Sequence, residues 1–165
     1  MPGVGKSSVG RQVAGQLGWR FADCDQEIER HAGCTIATLF VRDGESAFRE
    51  LEANTLAALI ETGPAVVATG GGTVLRVANR ELLHSRTRCV YLSASPEFLW
   101  RRLRRDRRRP LLQVTDPRTR LREMSEEREP LYRETASIVI DIEGLALAQL
   151  VGAVLDRLGT DVQVP

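Results

Sequence analysis

Lysine is almost absent from this chain. Lys+Arg amount to 23; with a single lysine, Lys6, the other 22 cations (23 − 1) are arginines. Cysteine is scarce too. Cys24, Cys34 and Cys89 are odd in number and lack metal-type spacing, which argues against a disulfide framework and predicts reduced, cytoplasmic surroundings. No apolar run approaches the ~20 residues of a membrane span, and no signal peptide is expected. A net charge of +1 gives no global reason for a nucleic-acid partner. Internal repeats and linkers are also missing. What remains is ordinary for a soluble globular protein: 165 residues, 42% hydrophobic and 27% charged. Residues 1–165 read as one domain, large enough to bury about 70% of the unfolded surface.

The lone lysine sits in Gly3-Val4-Gly5-Lys6-Ser7-Ser8, the closing half of a phosphate-binding loop. A compact ammonium can follow a moving phosphoryl group, whereas the arginine fork is geometrically committed. Codon bias in a GC-rich genome also removes lysines wherever arginine serves equally well, so the glycines around Lys6 carry the functional reading. In the full pattern, G-x-x-x-x-G-K-[ST], the loop follows a strand and opens a helix. Counting back from Gly5 puts the first glycine one position before Met1. The expectation is a natural chain that continues upstream through that glycine into an apolar strand.

Strands and helices alternate along the chain. Strands are predicted at 19–23, 65–69, 88–92 and 137–141, and helices at 8–17, 26–31, 36–41, 47–61, 76–84, 95–105, 117–127 and 145–158. Thr35 is placed to cap the helix at Ile36, and Ser95-Pro96 opens another. The run Ala65-Val66-Val67-Ala68-Thr69 is continuous and apolar, as a strand buried on both faces should be. Strands spaced by helices imply an α/β fold, a parallel sheet with helices on both faces.

Three further features carry chemistry. Asp23 and Asp25 flank Cys24 at a strand end, where open parallel sheets bind ligands. Two carboxylates there suit a magnesium ion and a substrate hydroxyl; the competing reading is that Asp25 caps the helix beginning at Gln26. Gly70-Gly71-Gly72 follows the apolar strand, and three glycines let a substrate lie against the backbone. The stretch from Arg101 to Arg109 holds seven arginines. It reads as a phosphate-facing lid or as a polyanion patch, and nothing else in the chain supports the patch.

Taken in order, the motifs resemble those of the shikimate kinases, small P-loop kinases of the nucleoside-monophosphate-kinase-like group. The resemblance runs from Met1 to about Leu158. It rests on Gly3-Val4-Gly5-Lys6-Ser7-Ser8, Asp23-Cys24-Asp25, Thr35-Ile36 with Phe40 and Gly44-Glu45, Phe48-Arg49 with Glu52, Gly70-Gly71-Gly72, Arg109-Pro110-Leu111-Leu112 and Arg128-Glu129-Pro130-Leu131-Tyr132. It implies a three-layer α/β/α fold with sheet order 2-3-1-4-5, strand 1 lying upstream of Met1. It also implies a lid at about 104–118 and a substrate-binding helical region at about 25–61.

The implied reaction moves the ATP γ-phosphoryl group to the 3-hydroxyl of shikimate with Mg²⁺ as cofactor. The implied ATP site is Gly3, Val4, Gly5, Lys6, Ser7 and Ser8, with Arg102 flanking the adenine and Arg109 approaching the phosphates. Ser7 and Asp23 hold the metal. Asp25 binds the shikimate hydroxyls and accepts the proton, Arg49 and Arg128 clamp the carboxylate, and Gly70, Gly71 and Gly72 line the pocket. Lys6, Asp25 and Arg109 form the catalytic set. The partners are ATP and shikimate, with no nucleic acid or membrane, and the chain is expected to be monomeric. Glu52, one turn after Arg49, is placed to orient that guanidinium. The segment 141–147 lacks the polar and proline residues expected near an adenine. The alternatives are another small-molecule kinase of this fold, such as a gluconate kinase, and a non-catalytic binding module.

Overall fold

The computed structural model describes residues 1–104 and 116–159. They fall into two compact units. One is formed by Lys6–Thr87, the other by Met1–Gly5 with Arg88–Pro165.

In the first unit, helix α1 (Lys6–Leu17) leads into strand β1 (Arg20–Asp23), helix α2 (Cys24–Ala32), helix α3 (Ile36–Glu61), strand β2 (Ala65–Ala68), a short 3-10 turn (Thr73–Leu75) and helix α4 (Val77–Arg86). Strands β1 and β2 pair in parallel, from Arg20 opposite Ala65 to Asp23 opposite Ala68. Both strands therefore end at the same edge. Asp23, Asp25 and the glycines after β2 share that edge because the register leaves them no other place. Gly10 lets α1 pack closely on this pair, since a β-carbon there would lie 2.8 Å from the Phe21 ring.

The core of this unit is apolar and continuous. Cys24, Ile28 and Leu56 are fully buried and pack with Ala22, Leu39, Phe48, Leu59 and Leu83. The Thr35 hydroxyl accepts from the Thr38 backbone N–H and caps α3, as its sequence position requires. The sequence predicts two helices between residues 36 and 61. The structure runs them together across a kink at Gly44, whose φ of 82° is open to glycine and strained for other residues. Strand β2 is half-buried at three of its four positions, less than its apolar run implies. Among the described residues β1 is its only ladder partner, so no strand covers its other edge.

The second unit carries strand β3 (Val90–Ser93), helix α5 (Pro96–Leu103), helix α6 (Pro117–Thr135), strand β4 (Ile138–Asp141) and helix α7 (Leu147–Gly159). Strands β3 and β4 also pair in parallel, Val90 opposite Ile138. The two pairs correspond to the flanks, 2-3 and 4-5, of the sheet order that the resemblance implies. Ser95 accepts from the Phe98 N–H to cap α5, and Asp116 accepts from the Arg118 and Thr119 N–H groups to cap α6.

Helix α6 extends well past the predicted end at Glu127. It passes through Pro130, which has no N–H for the helix ladder. Packing holds the continuation in place. Tyr132 and Thr135 are buried, and the Tyr132 ring stacks on Tyr91 at 4.9 Å. The Tyr91 hydroxyl donates to Glu129, which also accepts from Arg133 Nε at 2.8 Å.

Leu56 tests the first unit's core directly. Leu56→Ala removes a fully buried side chain and should destabilise the protein by about 2–5 kcal/mol, seen as a lower urea midpoint with an unchanged slope. A loss below about 1 kcal/mol would mean that this cluster does not hold the unit together.

Candidate active site

Helix α1 opens at Lys6, directly after Gly5. Gly3 and Gly5 have φ of 81° and 92°, the left-handed geometry that turns a loop back toward a helix N-terminus. A β-carbon on Gly3 would also meet Leu103 at 2.9 Å. Val4 is buried and Ser8 is exposed. The first turn of any α-helix has N–H groups beyond the intrahelical ladder, and together with the helix dipole such an end suits an anion.

Asp23 does two jobs at the end of β1. Its Oδ1 accepts from the Asp25 and Gln26 backbone N–H groups, at 3.1 and 3.4 Å, and so caps α2. Its Oδ2 accepts from the Ser7 hydroxyl at 2.6 Å. The capping role that the sequence left open for Asp25 therefore belongs to Asp23, because α2 begins at Cys24 and not at Gln26. Ser7 and Asp23 together offer two hard oxygens at the first turn of α1. That donor set suits magnesium, which takes one or two protein oxygens and completes its shell with water and phosphate. Among the described residues no group of three or more His, Cys, Asp or Glu side chains is assembled to hold a metal.

Asp25 is freed by this arrangement to serve as an acceptor. Burial pushes its carboxyl above the ordinary aspartate value, and the charges of Asp23 and Glu52 push the same way. Lys6 opposes them. Cys24, buried between the two aspartates, is pushed up to about 12 by burial and then by the Asp25 charge, so it is an inert core thiol.

Arg49 and Glu52 form the opposite wall. Arg49 Nη1 donates to Glu52 Oε2 at 2.8 Å, and Nη2 donates to Glu45 Oε1 at 3.1 Å. Burial works against the Arg49 charge, but Glu52 and then Glu45 outweigh it and hold its pKa above the ordinary value. The glycine turn lies against both carboxylates and the guanidinium. A β-carbon on Gly70 would sit 2.8 Å from Glu52 Oε1 and 2.9 Å from Asp25 Oδ1, and one on Gly72 would sit 2.5 Å from Arg49. These glycines are fixed by close approach, not by φ. Gly71 lies between them in the turn.

In the second unit, Arg128 is on α6 with its side chain 12% exposed, and Glu127 lies 3.6 Å from its Nε. Arg102 is exposed on α5, its guanidinium 5.6 Å from the Phe98 ring. Arg109, with Pro110, Leu111, Leu112 and most of the lid span 104–118, lies outside the described residues. The structure thus gathers Lys6, Ser7, Asp23, Asp25, Arg49, Gly70 and Gly72 within one unit. Two buried polar residues in that unit had no part in the sequence reading. Thr73 donates from its hydroxyl to Glu52 Oε1 at 2.8 Å, and Asn79 Nδ2 donates to the Thr73 carbonyl at 3.0 Å. Their one sequence signal is a polar residue next to the glycine turn.

Comparison with known proteins shows what the chain is similar to. A family model described as "SKI: Shikimate kinase" matches residues 2–159. A shikimate kinase of Cupriavidus pinatubonensis is 48% identical over 156 residues, covering 94% of this chain and 81% of the relative. One from Paracidovorax citrulli is 51% identical over 154 residues, covering 92% and 84%. Among solved structures, the shikimate kinase from Acinetobacter baumannii in complex with shikimate is similar at a TM-score of 0.90 and 40% identity, covering 98% of this chain and 90% of that one. The Aquifex aeolicus shikimate kinase gives 0.86 at 28% identity, covering 100% and 96%.

Asp25 provides a test of the electrostatics. Its folded-state pKa lies above the unfolded one, so ionising it opposes folding. The protein holds the extra stability below the ordinary carboxylate value and loses it as pH rises through the raised one. At neutral pH, Asp25→Asn should therefore raise Tm, by about 2–4 °C for each kcal/mol relieved, and the gain should vanish in acid. A lower Tm at neutral pH would contradict the assignment.

Proposed function

The chain belongs to the shikimate kinase family, and from that membership we propose how its residues divide the transfer of the ATP γ-phosphoryl group to the 3-hydroxyl of shikimate. It is an ATP-dependent phosphotransferase, and its two substrates are ATP and shikimate. In phosphoryl transfer the protein has little covalent work to do. Alignment and charge stabilisation supply most of the rate.

On the donor side, Gly3, Val4, Gly5 and the first turn of α1, with Ser8, wrap the phosphates through backbone N–H groups. Lys6 follows the γ-phosphoryl group as it moves. Ser7 and Asp23 would hold magnesium, and the chemistry supplied there would be neutralisation of charge on the phosphates. Arg102 flanks the adenine. The family resemblance assigns Arg109 to the phosphates as well.

On the acceptor side, Asp25 accepts hydrogen bonds from the shikimate hydroxyls. As the bond from the 3-oxygen to phosphorus forms and the bond to the ADP oxygen breaks, Asp25 takes the hydroxyl proton. Its raised pKa suits a group that must receive one. Arg49 binds the shikimate carboxylate, a role that the family resemblance also gives to Arg128, and Gly70, Gly71 and Gly72 let the ring lie on the backbone. Glu45 is 65% exposed, so its contact with Arg49 is worth little and is replaced by the substrate carboxylate. Glu52 is buried and stays. A cytoplasmic setting is supported by the free thiols of all three cysteines.

One observation carries this division of labour: Asp23 accepts from the Ser7 hydroxyl at 2.6 Å and from the Asp25 backbone N–H at 3.1 Å, while Asp25 Oδ1 lies 2.9 Å from the place of a β-carbon on Gly70. This geometry supports a donor side and an acceptor side that meet at the end of β1. Lys6→Met should lower shikimate-dependent ATP turnover by about a hundred- to a thousandfold, while shikimate binding by calorimetry stays largely intact. Unchanged turnover would remove Lys6 from the mechanism.

A further inference from the structure

Three polar residues of the first unit are almost wholly shielded from solvent: Glu52 at 1% exposure, Thr73 at 0% and Asn79 at 2%. They form one chain of hydrogen bonds. Asn79 donates to the Thr73 carbonyl, the Thr73 hydroxyl donates to Glu52 Oε1, and Glu52 Oε2 accepts from Arg49. The Thr73 backbone N–H also points to the Gly70 carbonyl at 3.4 Å, and the Leu75 N–H donates to the Gly72 carbonyl at 3.0 Å. Thr73 is thus joined to the glycine turn by its backbone and to the arginine wall by its hydroxyl.

This junction matters because of how a glutamate is built. The last torsion of a glutamate side chain is broad, so its rotamer does not fix the plane of the carboxylate. Two hydrogen bonds to different oxygens do fix it. Arg49 supplies one and Thr73 the other. Without the hydroxyl, Oε1 is a buried carboxylate oxygen short of a donor, and the carboxylate turns to find one. Arg49 turns with it, and the donors that its guanidinium presents beside Gly72 are redirected.

We propose that Thr73 is a positioning residue for substrate binding: through Glu52 it sets the orientation of the Arg49 fork, and through its backbone, locked by Asn79, it sets the glycine turn that faces that fork. The proposal rests on the reading of Arg49 as the carboxylate-binding arginine. It adds a specificity device, because a preset fork and turn select a planar carboxylate over a neutral group of the same size.

Steady-state kinetics of Thr73→Val and Thr73→Ser test it. Valine keeps the shape and loses the donor; serine keeps the donor. Thr73→Val should raise the KM for shikimate roughly tenfold, with kcat and the KM for ATP little changed, and Thr73→Ser should behave like the parent. On an Arg49→Ala background, Thr73→Val should add almost nothing. Asn79→Ala, which loosens Thr73 but spares its hydroxyl, should give a smaller rise of the same kind and serves if Thr73→Val does not fold. An unchanged shikimate KM in Thr73→Val, equal damage in Thr73→Ser, or full additivity with Arg49→Ala would overturn the proposal. An unchanged shikimate KM in Arg49→Ala alone would instead sink the assignment of Arg49, and the proposal with it.

Discussion

The buried carboxylate of Glu52 is the constraint around which the first unit is arranged. A charge out of water is tolerated only when it is paired and its oxygens have donors. Glu52 meets that condition with Arg49 on one oxygen and Thr73 on the other. The rest follows in turn. Arg49 lies one turn before it on α3, and its guanidinium is 2.5 Å from the place of a β-carbon at residue 72, so a side chain there would have to displace it. Glu52 Oε1 is 2.8 Å from the place of a β-carbon at residue 70, so a side chain there would have to move that carboxylate. A strand must then end at Ala68 to deliver those glycines. An ion pair that contributes little to stability by itself thus bears on where the glycine turn stands.

The parallel pairing of β1 with β2 supplies the other half of the site. It ends both strands at one edge, which sets Asp23 and Asp25 beside the glycine turn. Asp23 then separates the roles of the two aspartates. By capping α2 and taking the Ser7 hydroxyl it is committed on both oxygens, to structure and to the phosphate loop. Asp25 is left free, half-buried and with a raised affinity for a proton. Two carboxylates a residue apart receive different chemistry because one begins a helix and the other lies within it.

Much of this was legible in the sequence, for identifiable reasons. Asp23, Asp25 and the three glycines could be placed because alternating strands and helices force parallel pairing. Arg49 and Glu52 could be joined because residues three apart share a helix face. Thr35 and Ser95 announced their helices as caps. Other features were not legible. Pro130 reads as a helix stop, and only the packing of Tyr132 and Thr135 carries α6 past it. The kink at Gly44 reads as an end because local sequence cannot say that α3 resumes in line. Thr73 and Asn79 were missed because a lone threonine and a lone asparagine have no period, and their burial exists only once α3, the glycine turn and α4 are packed together.

In the proposed division of roles, Arg49 acts as an oriented fork and not merely as a positive charge. Calorimetric titration of Arg49→Lys with shikimate tests this most directly, since lysine keeps the charge and loses the paired, planar donors. The account predicts an affinity for shikimate weaker by roughly tenfold or more, with ATP binding retained. An Arg49→Lys protein that binds shikimate as tightly as the parent would contradict it.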